Sequence, residues 1–269
     1  MKFHRRDFIK SSLAASATAL AGVNTSFAAT DAPVLAGREY FELRAYRLKP
    51  GAGHALLDGY LEKALIPALN VRGIKAVGVF TEPEAKDGPA VWVLIPHPSL
   101  ESVASVNAML NAEPTIQSAA ADYFGSSTKA APAFDRIDTW LLLAFAGQPQ
   151  LAIPVLRREG KARIFELRVY ESYSEAKALN KVAMFNAGEI EVMQQLGMSP
   201  VFYGQALVGR DLPHLAYMLC SPDRETHAKN WKAFFNHPVW LKLKNDPHYA
   251  DNVSKVVSRF LVPAEYSQI

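Results

Sequence analysis

Apolar and polar side chains alternate along residues 164–170: Phe165, Leu167 and Val169 fall on one side, Glu166, Arg168 and Tyr170 on the other. Period-two alternation predicts a strand with one face toward a core. Residues 40–46 repeat the pattern, with Phe41, Leu43 and Ala45 opposite Glu42, Arg44 and Tyr46. The offset is 124 residues. It also carries Gly73 onto Gly197, Pro89 onto Pro213, Pro98 onto Pro222 and Pro114 onto Pro238. So many turn-forming residues in step indicate a tandem duplication.

In the second copy the strand is followed by a helix. Ser174 suits its N-cap and Gly197 its C-terminal stop. Leu179, Val182, Ala183, Phe185, Ile190 and Met193 recur at mostly helical spacing. Residues 201–203 and 215–220 read as two further strands, joined by a turn over residues 209–213. Asp223 or Ser221 opens a second helix through His227 and Trp231, and residues 256–262 close the unit as a strand. Strand, helix, two strands, helix, strand is the split β-α-β order. The fold class is therefore α+β, with two tandem ferredoxin-like domains forming an intrachain, pseudo-dimeric α+β barrel. The domains are expected at 38–147, the first and degenerate one, and at 161–269. A linker at 148–160 carries Pro149 and Pro154. Glu42, Arg44, Glu166 and Arg168 are expected as ion pairs in the barrel interior, because buried charges persist only when paired.

Residues 1–28 form an expected twin-arginine signal: Arg5-Arg6, then Phe8, then a short apolar run, with small residues placing cleavage after Ala28. That destination is the periplasm. The run is too short and too weakly apolar to span a bilayer. The segment also holds four basic residues against one acidic, a net of +3 and the whole charge of the chain. The remainder is near neutral, which argues against a nucleic-acid partner. Cys220 is the single cysteine, so no intramolecular disulfide forms, and its apolar neighbours read it as a small buried hydrophobe.

The segment 165–170, Gly197, the stretch from Trp231 to Phe234 and the following His237-Pro238-Val239-Trp240 resemble the NIPSNAP family. The resemblance covers the second half and, more weakly, the first. It implies the dimeric α+β barrel superfamily, which holds cofactor-free monooxygenases, small isomerases and haem enzymes. It implies no particular reaction. The first half departs from the pattern: Val103, Asn107, Asn111, Glu113 and Ile116 stand where the second has His227, Trp231, Phe235, His237 and Trp240. A single site is therefore expected in the second half.

His227, Trp231 and Phe234 share one helix stripe at four- and three-residue spacing. Such stripes are commonly core. Read functionally, they wall a pocket between helix and sheet, with His227, Tyr203 and Tyr217 as acid–base candidates. Arg168, Tyr170, Trp231, Phe234, Trp240 and His237 are the candidate ligand-binding residues. Arg168 suits a carboxylate or carbonyl, and the competing reading is a structural ion pair with Glu166. Histidine and carboxylate spacings match no metal site, and no glycine-rich phosphate loop occurs, so no metal and no cofactor are expected. Haem on His227 is the alternative the superfamily supplies. The partner is then a small molecule, an apolar or aromatic metabolite bound or transformed. The alternative is a non-catalytic periplasmic binding or assembly module. Either state of association, monomer or homodimer, is compatible with a barrel completed within one chain.

Overall fold

The computed structural model describes residues 35–269 apart from 86, 127, 129 and 130. The expected signal and its cleavage site lie outside the described residues. Residues Ala36–Ile269 form one compact unit. Its first half runs β1 (Tyr40–Arg47), a helical segment, β2 (Gly78–Thr81), β3 (Ala90–His97), three further helices and β4 (Arg136–Ala144). The helical segment is α1 (Ala55–Tyr60), a π turn (Leu61–Leu65) and α2 (Ile66–Val71). The later helices are α3 (Leu100–Ala112), α4 (Pro114–Ala119) and α5 (Ala121–Ser126). One helical turn, α6 (Val155–Arg158), begins within the linker directly after Pro154.

The second half repeats this plan: β5 (Ile164–Glu171), α7 (Glu175–Met184), a π turn (Phe185–Glu189), α8 (Ile190–Gln195), β6 (Pro200–Val208) and β7 (His214–Ser221). Then come α9 (Arg224–Phe235), α10 (Pro238–Lys244) and β8 (Lys255–Pro263). The 124-residue offset superimposes β1 on β5, β3 on β7 and one π turn on the other, residue for residue. Local chemistry explains the boundaries. The Ser174 side chain caps α7 by accepting from the Lys177 backbone N–H at 3.3 Å. Asp223, rather than Ser221, caps α9, accepting from the Thr226 N–H at 2.7 Å. Gly197 takes φ +69°, the left-handed conformation that lets the chain leave α8. The buried side chains of the α7–α8 segment are Ala178, Lys181, Val182, Met184, Phe185, Glu189, Ile190, Val192 and Met193, whereas Leu179 and Ala183, expected on the stripe, are exposed.

Each half makes a four-stranded antiparallel sheet, and the two join edge to edge. The closed order is β1-β3-β2-β8-β5-β7-β6-β4. One seam pairs Phe80 with Pro263 and Thr81 with Val262; the other pairs β4 with β6 through a bulge between Leu141 and Leu142. One chain thus completes the barrel and leaves no open strand edge.

The interior of the barrel is apolar. Phe41, Leu43 and Ala45 from one half meet Phe165, Leu167, Phe202 and Met218 from the other. This corrects the expected position of the charged trios. Glu42, Arg44, Glu166 and Arg168 all lie on the outer, helix-covered face of the sheets, opposite the barrel interior. An eight-stranded barrel has room for packed side chains and little else. Guanidinium and carboxylate groups need several hydrogen-bond partners when buried. Only the helices and strand ends on the outer face supply them. Cys220 lies in the apolar interior, fully buried. Among the described residues no helix is long and apolar enough to cross a membrane.

Candidate functional site

Glu166 is the hub of the second half. Its Oε1 accepts from Arg168 Nη1 at 2.6 Å and from Ser258 Oγ at 2.5 Å. Its Oε2 accepts from His227 Nε2 and from Trp231 Nε1, each at 2.8 Å. Four donors fill the acceptor capacity of the carboxylate. Burial raises the Glu166 pKa, but the His227 and Ser258 hydrogen bonds and the Arg168 charge outweigh it and hold it at about 2. An ionised Glu166 accepts only, so His227 carries its proton on Nε2. Its Nδ1 lies 3.2 Å from Ser221 Oγ. His227 is buried and both ring nitrogens are engaged inside the cluster, so the ring does not fit as an axial haem ligand, and neither it nor the buried Ser221 is open to a substrate.

Period-two geometry on β5 sets Arg168 beside Glu166 and Tyr170 beyond it. Arg168 Nε donates to the Tyr170 hydroxyl at 3.3 Å, and its guanidinium lies 4.5 Å from the Trp231 ring. The Tyr170 and Tyr217 hydroxyls are 2.8 Å apart. Tyr217 and Tyr203 are fully buried, and burial drives both phenols well above their ordinary range. The Tyr203 hydroxyl is spent on the Met193 thioether at 3.2 Å, which makes it a packing residue. Phe234 is buried between Trp231 and Trp240. His237 stands apart from this group: its ring caps α10 by accepting from the Val239 N–H at 3.3 Å. A proline directly after it opens that helix and leaves the histidine as N-cap.

Three residues of this neighbourhood escaped the sequence reading. Ser258 was hidden in a strand that read as apolar. Lys181 and Glu189 form a buried ion pair, Nζ to Oε1 at 2.5 Å, across the π turn. The Lys181 ammonium faces the rings of Phe185, Trp240 and Tyr170 at 4.8, 5.4 and 5.7 Å. Burial raises the Glu189 pKa, against the pull of Lys181. The repeat carried a signal: the same offset places Leu57 and Leu65 at these two positions of the first half.

The first half, which has no histidine on α3, holds a counterpart cluster whose histidine comes from β3. Glu42 Oε1 accepts from Arg44 Nε at 2.7 Å, and Oε2 from His97 Nε2 at 3.3 Å. His97 Nδ1 lies 3.1 Å from Ser102 Oγ. In this half histidine comes from the strand and serine from the helix; in the second half they change places, because His97 and Ser221 are equivalent positions. Glu42 is likewise held at about 2, burial being outweighed by His97 and Arg44. The halves differ at the arginine. Arg44 Nη2 donates to Asn107 Oδ1 at 3.2 Å, whereas Arg168 Nη2 has no hydrogen-bond partner among the described residues, since Trp231 stands in the place of Asn107. The strip of β8 beside it is partly open, with Val256 and Ser258 exposed and Phe260 half-buried. Among the described residues no group of three metal-ligating side chains is placed to hold a metal ion.

Comparison with known proteins places these features. Residues 165–268 match the NIPSNAP family model. The NIPSNAP match thus begins at Phe165, beside the hub carboxylate, and spans the open strip of β8. The fold is similar to that of two proteins, from Fusobacterium nucleatum and Lactobacillus acidophilus, each named "putative monooxygenase". The first is 6% identical with a TM-score of 0.53, over 84% of this chain and 92% of that one. The second is 8% identical with a TM-score of 0.51, over 84% and 94%. At such identities the likeness is one of fold. A NIPSNAP family protein from Agrobacterium tumefaciens is 16% identical over 40% of this chain and 91% of its own, with a TM-score of 0.37. No curated protein matches the sequence.

Proposed function

We propose that the NIPSNAP half binds a small planar metabolite, apolar or aromatic, through a carboxylate or carbonyl group placed on Arg168. The observation that carries this reading is that Arg168 Nη2 has no hydrogen-bond partner among the described residues, whereas Arg44 Nη2, on the equivalent arginine, is capped by Asn107. A guanidinium edge recognises a planar oxyanion through paired N–H donors. Val256 and Phe260 supply apolar surface beside it, and Ser258 a hydroxyl. Glu166 fixes the arginine from behind and is itself saturated. With Glu166 saturated and His227 and Ser221 buried away from any ligand, the reading favours a binding module that needs no nucleotide cofactor. The leader at residues 1–28 would deliver it to the periplasm.

The test uses 4-fluorobenzoate as probe and fluorine NMR of the purified chain. Saturable binding is expected. It weakens about tenfold or more in Arg168→Gln, the loss of a charge-assisted hydrogen bond, and is unchanged in Arg44→Gln. Circular dichroism verifies that both variants fold. Absence of saturable binding, or equal binding by Arg168→Gln, overturns the reading.

A further inference from the structure

The first half contains an open groove of about 160 Å³ between the α1–π-turn segment and the α4–α5 hairpin, with Ala55 and Ala119 exposed at its walls. Its walls are Ala55, Gly59, Ala119 and Ala120, its aromatic surface is Tyr60 and Tyr123, and Lys63 and Asp122 stand at the rim. The repeat explains how the space arises. The 124-residue offset sets Ala55 against Leu179, Gly59 against Ala183 and Ala119 against Leu243. In the second half Leu243 is buried there while Leu179 and Ala183 are exposed, so the missing bulk is that of Leu243. A Cβ added at Gly59 would meet no atom within 4 Å, so the volume at that wall is open. At the same time Met184 of the second half is replaced by Tyr60, whose ring stacks on Tyr123 at 4.2 Å and 12°. Removal of aliphatic bulk and gain of stacked rings at one spot alter the chemistry of the space in a single direction.

We infer that this groove is a second binding site, for a single-ring phenol. The volume sets the scale: about 160 Å³ is room for one ring, with one edge of that ring left to solvent in an open groove. The apolar part of the wall decides the body of the ligand, since leucine, alanine and tyrosine ring surface offer dispersion and edge-to-face contact. The rim decides the substituent. Lys63 only donates and ionised Asp122 only accepts, and a hydroxyl is the smallest group that answers both. Lys63 and Asp122 are exposed, so the polar end of the ligand faces the opening. The site lies in the opposite half from Arg168 and stands whether or not that residue binds a carboxylate.

The experiment is fluorine NMR of 4-fluorophenol titrated with the full chain. Saturable broadening from one site is expected, and 4-fluoroanisole, which cannot donate to Asp122, binds several-fold more weakly. Ala119→Leu and Gly59→Leu each fill the groove, the first with the residue that the second half already uses, and each weakens binding about tenfold or more through steric exclusion. Arg168→Gln leaves it unchanged. Two filling variants are made so that one that fails to fold does not decide the matter; circular dichroism identifies it. No saturable binding, binding that persists in a folded filling variant, equal binding of the anisole, or binding lost in Arg168→Gln each overturns the inference.

Discussion

Exchange of Lys181 and Glu189 for leucine, singly and together, probes the cost of the buried ion pair against a standard built into the same chain. Their side chains are 4% and 2% exposed, so neither charge is solvated. Removal of one partner of such a pair destabilises by about 3–5 kcal/mol. A second route gives the same scale. Lys181→Leu leaves Glu189 in a site where burial already raises its pKa; holding an ordinary carboxyl protonated at pH 7 takes about 4 kcal/mol. The double variant recreates the Leu57 and Leu65 arrangement, fully buried around the equivalent π turn. It is expected to be as stable as the parent or up to about 4 kcal/mol more so. The measurement is urea unfolding of all four proteins, which closes a double-mutant cycle with a coupling of about 6 kcal/mol or more, twice the single loss. The pH dependence has a fixed sign. In Lys181→Leu the folded state holds a proton that the unfolded state releases above about pH 4.3, so stability falls as pH rises from there through the raised folded value. Additive deficits, with the double variant the least stable of the four, would refute the reasoning.

Glu166 has the opposite linkage: its folded pKa of about 2 lies below the ordinary carboxylate value, so its contribution is present at neutral pH and lost as pH falls from about 4.5 toward 2. Glu166→Gln should remove about 3 kcal/mol at pH 7 and flatten the acid limb of a stability-versus-pH curve; an unchanged limb would contradict the hub role. Cys220 sits among apolar side chains with its thiol pushed up to about 12 by burial. A thiol reagent at pH 8 is expected to label it only as fast as the chain unfolds in added urea, and prompt labelling of the native protein would be incompatible with that position.

The alternation along β1 and β5, the capping residues and the repeat offset made the strands, helices and barrel legible, because each depends on local spacing. Which face of a strand turns inward is not local. Phe165 and Glu166 define two faces, and either can be read as the interior until the second sheet is in place; only the closed ring showed that the charged face meets the helices. The second-half cluster was legible as far as side chains shared a strand or a helix stripe, as Glu166 with Arg168 and His227 with Trp231 do. Ser221 and Ser258 reach it from separate strands, and small hydroxyl residues carry no periodic signal. His97 was missed for a related reason. A residue-by-residue comparison of the repeats asked for a histidine at Val103, whereas the structure supplies it from the end of β3, six positions earlier and across a turn.

The closure of the ring by β2–β8 and β4–β6 also changes how the protein can vary. In a barrel of identical subunits every substitution appears on both sides of the axis at once, and a residue unsuited to one side is unsuited to both. Here each position is encoded once. Leu57 and Leu65 could settle in one half while Lys181 and Glu189 stayed in the other, and histidine and serine could trade places around Glu42 without disturbing Glu166. The seam turns a symmetric shell into two independently editable faces, so that one half can keep the barrel standing while the other changes its chemistry.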